Sequence, residues 1–438
     1  MLFRKIQHTL EQYLTSDSNK VLVLDGARQV GKTFIIRHVG QKLFKNYIEI
    51  NLKEDSEGEQ AFSKIKTVKD FYLQLSVLAG ERLGEKKDTL VFLDEIQSYP
   101  HLLTMLKFLK ADDRFTYIVS GSLLGIALAQ STSIPIGSIE THHLYPLDFE
   151  EFLNANGIGQ EVLDHLHDCF NNRKSLDLPL HNIILKHFKR YLLCGGLPDA
   201  VNTFLSTDNI VALRQLQNEI HSYYAADASQ YDKENKLKIR RVYDIIPSNL
   251  ESKRKRVFAN KIEDKKGKRF NDYAEEFDYL IESGIALEVK AISQPKFPML
   301  ESCKKNLLKL YLNDVGLLSG LLYGRNARAI LDDMDSINLG SVYESVVAQE
   351  LFAHNHQLYY YDNKKHGEVD FLIEDYDLLS VVPIEVKSGK DYKIHSALDT
   401  FVKTKDYQVK EAIVLSNDRE VSIHQGITYL PIYYVMYL

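Results

Sequence analysis

Two sets of residues in this chain have the types and spacing to handle phosphate. The first is Gly26-Ala27-Arg28-Gln29-Val30-Gly31-Lys32-Thr33, which fills the spacing G-x-x-x-x-G-K-S/T directly after the apolar run Val21-Leu22-Val23-Leu24. The glycines let the backbone wrap, so that N–H groups from Gly26 through Phe34 face phosphates. The helix expected from Thr33 to Val39 adds the positive end of its dipole. Lys32 is placed to reach the β- and γ-phosphates, and the Thr33 hydroxyl to ligate Mg²⁺.

A loop this short needs a second part. Thr89-Leu90-Val91-Phe92-Leu93-Asp94-Glu95 is an apolar strand ending in two acids. Asp94 is expected to hold Mg²⁺, directly or through water, and Glu95 to act as general base on the attacking water. A buried strand meeting a polar turn would give the same residues; the phosphate loop about 60 residues upstream favours the nucleotide reading. A third strand, Phe115 to Val119, ends at Ser120-Gly121-Ser122. Ligands collect beyond the carboxyl ends of such strands, so Ser120 or Ser122 is a candidate γ-phosphate contact. A plain turn is the alternative.

The second set lies near the end: Glu344 on a helical stretch, then Glu368-Val369-Asp370, then Pro383-Ile384-Glu385-Val386-Lys387. Period-two alternation puts Glu385 and Lys387 on one strand face, with Asp370 ending a hairpin strand beside them. Asp370 and Glu385 suit a hard divalent ion, and Glu344 completes or orients the site. Lys387 would activate water or stabilise a pentacovalent phosphate. Half-buried strands with polar edges are the plain alternative.

Elements must position these residues. A length of 438 residues predicts two or three domains, and 45% hydrophobic with 26% charged residues is ordinary for globular cores. No run of about 18 uncharged apolar residues occurs, which argues against a membrane span, and the amphipathic start lacks a secretory core. Cys169, Cys194 and Cys303 are few, odd in number and far apart, as expected of a reducing cytoplasm, without disulfides or a zinc site. Residues 1–20 read as a helix, and short apolar strands alternate with helical stretches over 21–145, predicting an α/β sheet covered on both faces. Residues 146–230 read as helical. Residues 235–295 fit a winged helix: a first helix from Ile239, a turn at Pro247-Ser248-Asn249-Leu250, a helix from Arg269 and a wing strand at Ile285–Lys290. The net charge of −6 does not indicate nucleic acid, but residues 232–269 hold 14 Lys/Arg against 6 Asp/Glu. Such a patch neutralises phosphate backbone, or is a solvated face, or grips another domain's acids.

The phosphate loop, Leu93-Asp94-Glu95-Ile96-Gln97, Ser120-Gly121-Ser122, Leu144 to Leu153 and Gly195-Gly196-Leu197-Pro198 together resemble the prokaryotic predicted ATPases of the AAA+ superfamily. These carry a C-terminal domain of unknown function with a restriction-endonuclease-like core. The resemblance spans nearly the whole chain. It implies ATP and Mg²⁺ as cofactors and a P-loop core (1–145), a helical lid (146–230), a winged-helix-like part (231–300) and a restriction-endonuclease-like α/β domain (301–438). The order Glu344, Asp370, Glu385-x-Lys387 matches the nuclease-like signature. Pro198 resembles a lid proline lying over the nucleotide base; a helix cap followed by a proline-started helix is the alternative. Lys309 to Leu318 also resembles the family and is expected to fix an interface, without catalysis. One departure is Ser138 after Pro135-Ile136-Gly137, where relatives carry a basic residue; Arg37 and Arg114 are weak substitutes. Oligomers are common in the superfamily. The expected function is ATP binding and hydrolysis controlling a metal-dependent nuclease-like domain on nucleic acid. The alternative is a nucleotide-driven switch whose C-terminal domain binds a partner without cleaving; a DNA-binding regulator is a third reading.

Overall fold

The apolar run after Lys20 becomes β1 (Val21–Asp25), buried at every position. A strand buried on both faces belongs in the middle of a parallel sheet. The computed structural model describes residues 2–16, 18–122, 137–231, 236–253, 255–263, 267–332, 337–363, 365–389 and 391–438. They divide into two compact units, Phe3–Tyr145 with Glu282–Gly284, and Pro146–Ile281 with Ile285–Leu438.

In the first unit α1 (Ile6–Thr15) precedes β1, and α2 (Lys32–Leu43) follows it. Then come β2 (Asn46–Asn51), α3 (Leu52–Glu57), α4 (Val68–Ala79), β3 (Thr89–Asp94), α5 (Pro100–Asp112), β4 (Thr116–Gly121) and β5 (Ile139–His143). The strands are all parallel, in the order β2-β3-β4-β1-β5. Asp25 pairs with Gly121 and Leu93 with Val119, so the carboxyl ends of β1, β3 and β4 lie side by side. Val21, Val23, Val91, Leu93 and Val119 pack against α4 and α5 through Phe71, Leu75, Leu102 and Leu106. α4 begins with a reciprocal cap: Thr67 Oγ1 accepts from Asp70 N and the Asp70 carboxylate from Thr67 N, both at 3.1 Å.

The second unit opens with helices α6 (Phe149–Ala155), α7 (Gln160–Asn171), α8 (Leu178–Cys194), α9 (Pro198–Thr207) and α10 (Ile210–Tyr231). Short helices α11 (Lys236–Asp244), α12 (Ile246–Glu251), α13 (Ala259–Ile262) and α14 (Ala274–Glu282) follow. The remainder runs β6 (Ala286–Ile292), β7 (Cys303–Leu312), α15 (Val315–Tyr323), α16 (Arg328–Leu331), α17 (Gly340–Ala353), β8 (Tyr359–Asn363), β9 (Gly367–Asp375), β10 (Ser380–Lys387), α18 (Ser396–Lys403), β11 (Ala412–Ser416), β12 (Ser422–His424) and β13 (Ile427–Pro431). Its mixed sheet has the order β12-β13-β11-β10-β9-β8-β6-β7. α17 is buried from Ser341 to Leu351, as expected of a helix packed among β6, β7, β10 and the final 3₁₀ turn.

Two expectations need correction. Pro247-Ser248-Asn249-Leu250 is not a turn but lies within α12, because Pro247 sits in the first helical turn, where a missing N–H costs nothing. The strand expected as a wing is β6, and it pairs antiparallel with β7 and parallel with β8 inside the eight-stranded sheet. A boundary at residue 300 therefore falls between two paired strands.

Three stretches of that resemblance, around Leu147, Gly195-Gly196-Leu197-Pro198 and Asp314, meet within the second unit in one buried polar junction. Leu147 N donates to Gly196 O at 2.7 Å, and Gly196 N to Asp314 Oδ2 at 2.6 Å. Asp314 also caps α15 through Leu317 N at 3.0 Å. A Cβ on Gly196 would stand 2.0 Å from Leu147 O, so only glycine allows this approach. Gln349 from α17 joins by donating to Tyr191 Oη at 2.8 Å and accepting from Val315 N at 2.8 Å. Pro198 starts α9 at its first turn. No helix among the described residues is long and apolar enough to cross a membrane.

Candidate functional site

Backbone conformation shapes the loop from Gly26 to Gly31. Gly26 has φ +146°, and a Cβ there would lie 2.3 Å from Leu144 O. Gln29 (φ 68°) and Gly31 (φ 95°) also take positive φ, and Gly31 caps α2. Lys32, buried at the head of α2, donates to Gly26 O and Ala27 O, both at 2.8 Å. Burial lowers its pKa, while Glu95, Asp25 and Asp94 oppose that shift. An ammonium resting on carbonyls has its charge available to an incoming anion. Phe34 is exposed on the same helix.

Asp94 ends β3 and is buried. Its Oδ2 accepts from Thr33 Oγ1 at 2.7 Å, and its Oδ1 accepts from the Ser120 hydroxyl and from Glu95 N, the latter at 3.1 Å. Burial raises the Asp94 pKa, with the two hydroxyls opposing. Thr33, Asp94 and Ser120, from α2, β3 and β4, thus form one hydrogen-bonded set. Ser120 is committed to Asp94, whereas Ser122 faces Glu95 at 3.5 Å. Glu95 takes a left-handed backbone (φ 55°) and opens the short turn Ile96–Ser98. Beside the loop, His143 Nδ1 stands 3.3 Å from Asp25 Oδ2, and that carboxylate raises the His143 pKa. Hard-ion chemistry fits the pair Thr33 hydroxyl and Asp94 carboxylate, both oxygen ligands already aligned.

The arginine substitutes are occupied. Arg37 forms a two-pronged pair with Glu49 (2.9 and 2.5 Å), and Arg114 lies over the Tyr72 ring at 4.8 Å. Pro135 and Ile136 lie outside the described residues; Ser138 O accepts from Val21 N at 2.8 Å.

In the second unit the structure brings Glu344, Asp370, Glu385 and Lys387 together. Lys387 Nζ donates to Glu385 Oε1 at 2.8 Å, and Val386 N to Asp370 Oδ2 at 2.9 Å. Burial, then the Glu344 and Glu385 charges, push the Asp370 pKa well above the carboxylate range. Burial also raises Glu385, against the pull of Lys387. Burial works against charge on Lys387, but Glu385 outweighs it and the Lys387 pKa rises. Two more lysines enter. Lys255 pairs with Glu344, which also accepts from Tyr311 Oη at 3.2 Å. Lys309, fully buried on β7, pairs with Glu368 at 2.5 Å over the Tyr360 ring.

Glu385 Oε2 is buried with no hydrogen-bond partner among the described residues. An orphaned carboxylate oxygen fits a hard cation, and a Mg²⁺ site built on two carboxylates keeps several waters. No group of three or more His, Cys, Asp or Glu positioned for a metal occurs among the described residues.

Five cations of the basic segment are paired, Lys255 with Glu344 among them. Arg256 lies 3.7 Å from Asp362, Arg241 3.4 Å from Glu263, Arg240 3.6 Å from Asp244 and Lys238 3.7 Å from Glu276. Residues 232–235, Arg254 and residues 264–266 lie outside the described set.

Sequence reasoning assigned no role to Gln97, which contacts Glu95 and Ser122, nor any partner to Lys309. A single charge in the apolar run Leu307-Leu308-Lys309-Leu310 was the available signal for a buried partner.

A parallel sheet with a phosphate loop after β1 and an acidic end to β3 defines a P-loop nucleotide-binding module. Residues 18–153 match the family model of an AAA domain, which supports an AAA-like, nucleotide-binding ATPase. Residues 185–328 and 339–435 match two domains of unknown function. An uncharacterized protein of Methanocaldococcus jannaschii is 26% identical over 423 residues, covering 91% of this chain and 83% of that one. Among solved structures, a Walker-type ATPase of Pyrococcus abyssi is 15% identical over 73% of this chain and 96% of its own, with TM-score 0.44. An ADP complex of S. cerevisiae Hsp104 is 15% identical over 65% and 38%, with TM-score 0.29.

Proposed function

We propose that the chain hydrolyses Mg-ATP and that its nucleotide state controls a metal-dependent, nuclease-like centre in the second unit. The observation that carries the first half is the set Thr33–Asp94–Ser120 beside buried Lys32. Loop N–H groups and Lys32 would bind the phosphates. Thr33 and Asp94 would hold Mg²⁺, which supplies charge neutralisation when bound. Glu95 takes the proton of the attacking water. In the second unit, Asp370 and Glu385 would hold the divalent ion, Glu344 orients them, and Lys387 keeps a positive charge where a phosphodiester oxygen would gain negative charge. The orphaned Glu385 oxygen supports this reading.

A second reading rests on Lys255. Its pairing with Glu344, and the other pairs of the basic segment, suit a switch whose second unit does not cleave. The test is incubation with single- and double-stranded DNA and RNA in Mg²⁺ or Mn²⁺, with and without ATP, alongside Lys387→Ala and Lys32→Ala. Cleavage lost in Lys387→Ala and altered by ATP supports control of a nuclease. ATP hydrolysis without cleavage of any substrate supports the switch.

A further inference from the structure

We infer that Gln97 is a positioning residue for Glu95 in ATP hydrolysis, acting with Ser122 as a clamp on the general base. This rests on the ATPase reading above. Gln97 Nε2 donates both to Glu95 Oε2 and, at 3.2 Å, to Ser122 Oγ. Ser122 Oγ in turn lies 3.5 Å from the same Glu95 oxygen. The three side chains close a triangle at the carboxyl ends of β3 and β4, next to the Asp94–Thr33 bond.

The orientation of the Gln97 amide is chemically fixed. An ionised carboxylate only accepts, so the NH₂ group must face Glu95. The amide oxygen is then turned inward, where it is buried with no donor among the described residues. A glutamine selected for stability alone would not leave that oxygen unpaired. Room for it exists only because position 121 is glycine: a Cβ there would stand 2.8 Å from Gln97 Oε1.

Glu95 also needs an external guide. Its left-handed backbone takes it out of the strand direction of β3. Neighbouring side chains, not the sheet, therefore set where its carboxylate points. A general base must meet its proton within hydrogen-bond reach, and small misplacements cost large factors in rate.

The experiment is steady-state ATPase kinetics with full-length protein, paired with calorimetric binding of a non-hydrolysable ATP analogue in Mg²⁺. Gln97→Ala should lower kcat by about 10- to 100-fold. KM and analogue affinity should stay within about threefold, since uniform binding is untouched. Gln97→Glu keeps the side-chain size but replaces the amide donor with a second carboxylate beside Glu95, and should lower kcat by a similar factor with analogue affinity kept. That near-isosteric variant supplies the readout if Gln97→Ala does not fold. Turnover within threefold of wild type in both variants overturns the inference, as does an equal loss of analogue affinity. A wild type that binds Mg-ATP and never turns it over overturns the ATPase reading, and the clamp with it. Lys32→Ala serves as the binding-deficient control that separates these cases.

Discussion

The two acidic sites balance charge in opposite ways. In the first unit Lys32 donates to backbone carbonyls, while Asp94 is satisfied by hydroxyls and an N–H. Among the described residues Lys32 and Asp94 form no ion pair, an arrangement suited to an incoming anion and a divalent cation. In the second unit three of the four acids have an ammonium beside them, Lys255 at Glu344, Lys309 at Glu368 and Lys387 at Glu385, while Asp370 accepts from Val386 N. Formally the four acids outnumber the three ammoniums by one, and the Glu385 Oε2 is left over. Acidic residues in a nuclease-like order are thus not equivalent to an open metal site. The lysines decide how much attraction remains for a cation.

The largest expected effect tests the open site. Lys32→Ala should weaken Mg-ATP binding by about a thousandfold, about 4 kcal/mol, as for removal of one member of a buried charged contact. Titration calorimetry measures this; a change below tenfold would place the phosphate grip elsewhere. Next comes the closed site. Lys309→Met removes a fully buried cation from Glu368 and should cost about 3 kcal/mol of unfolding stability in urea. Unchanged stability would mean that the pair is no more than an apolar isostere could replace. Smaller again is Lys255→Met, expected to tighten Mn²⁺ binding in the absence of nucleotide by about tenfold by freeing Glu344. Asp370→Asn should act in the opposite direction. If neither variant shifts the Mn²⁺ isotherm, the cluster is not a metal site.

The same contrast governs what could be read from sequence. The phosphate loop was legible because its function lies in consecutive residues whose backbone conformation glycine dictates. Thr33 and Asp94 followed, since both end short contiguous segments. Gln97 was missed because its partners are a left-handed glutamate and a serine on the next strand, and neither geometry is written in local spacing. Period-two alternation showed that Ile285–Lys290 is a strand but not with what it pairs; its partners are β7 and β8. Pro247 looked like a turn because proline marks both turns and helix starts. The Gly195-Gly196 and Asp314 motifs look like functional sequence, yet their polar atoms are consumed by the buried junction with Leu147.

That junction offers the subtlest comparison, a carboxylate with no lysine at all. Glu350 on α17 is completely buried; its Oε1 accepts from Phe149 N at 3.0 Å and lies 3.0 Å from Tyr191 Oη. Its Oε2 has no partner among the described residues. Burial, and then the Asp148 charge, push its pKa up to about 7, with His354 opposing. In the unfolded chain a glutamate titrates near about 4.3. Between those values the folded state holds the extra proton, so stability is fullest at the acid end. It falls as pH rises through this window and levels off above about pH 8. Glu350→Gln keeps an acceptor for Phe149 N and fixes the neutral state. It should stabilise the protein by about 2 kcal/mol at pH 8, change little at pH 5, and flatten the slope between. Thermal unfolding of the two proteins across pH 5 to 8 measures this. Equal destabilisation at both ends would mean that the junction requires the carboxylate itself. Asp370 and Glu385, whose pKa values burial also raises, contribute a slope of the same sign, so the share of Glu350 is read from the difference between the two proteins.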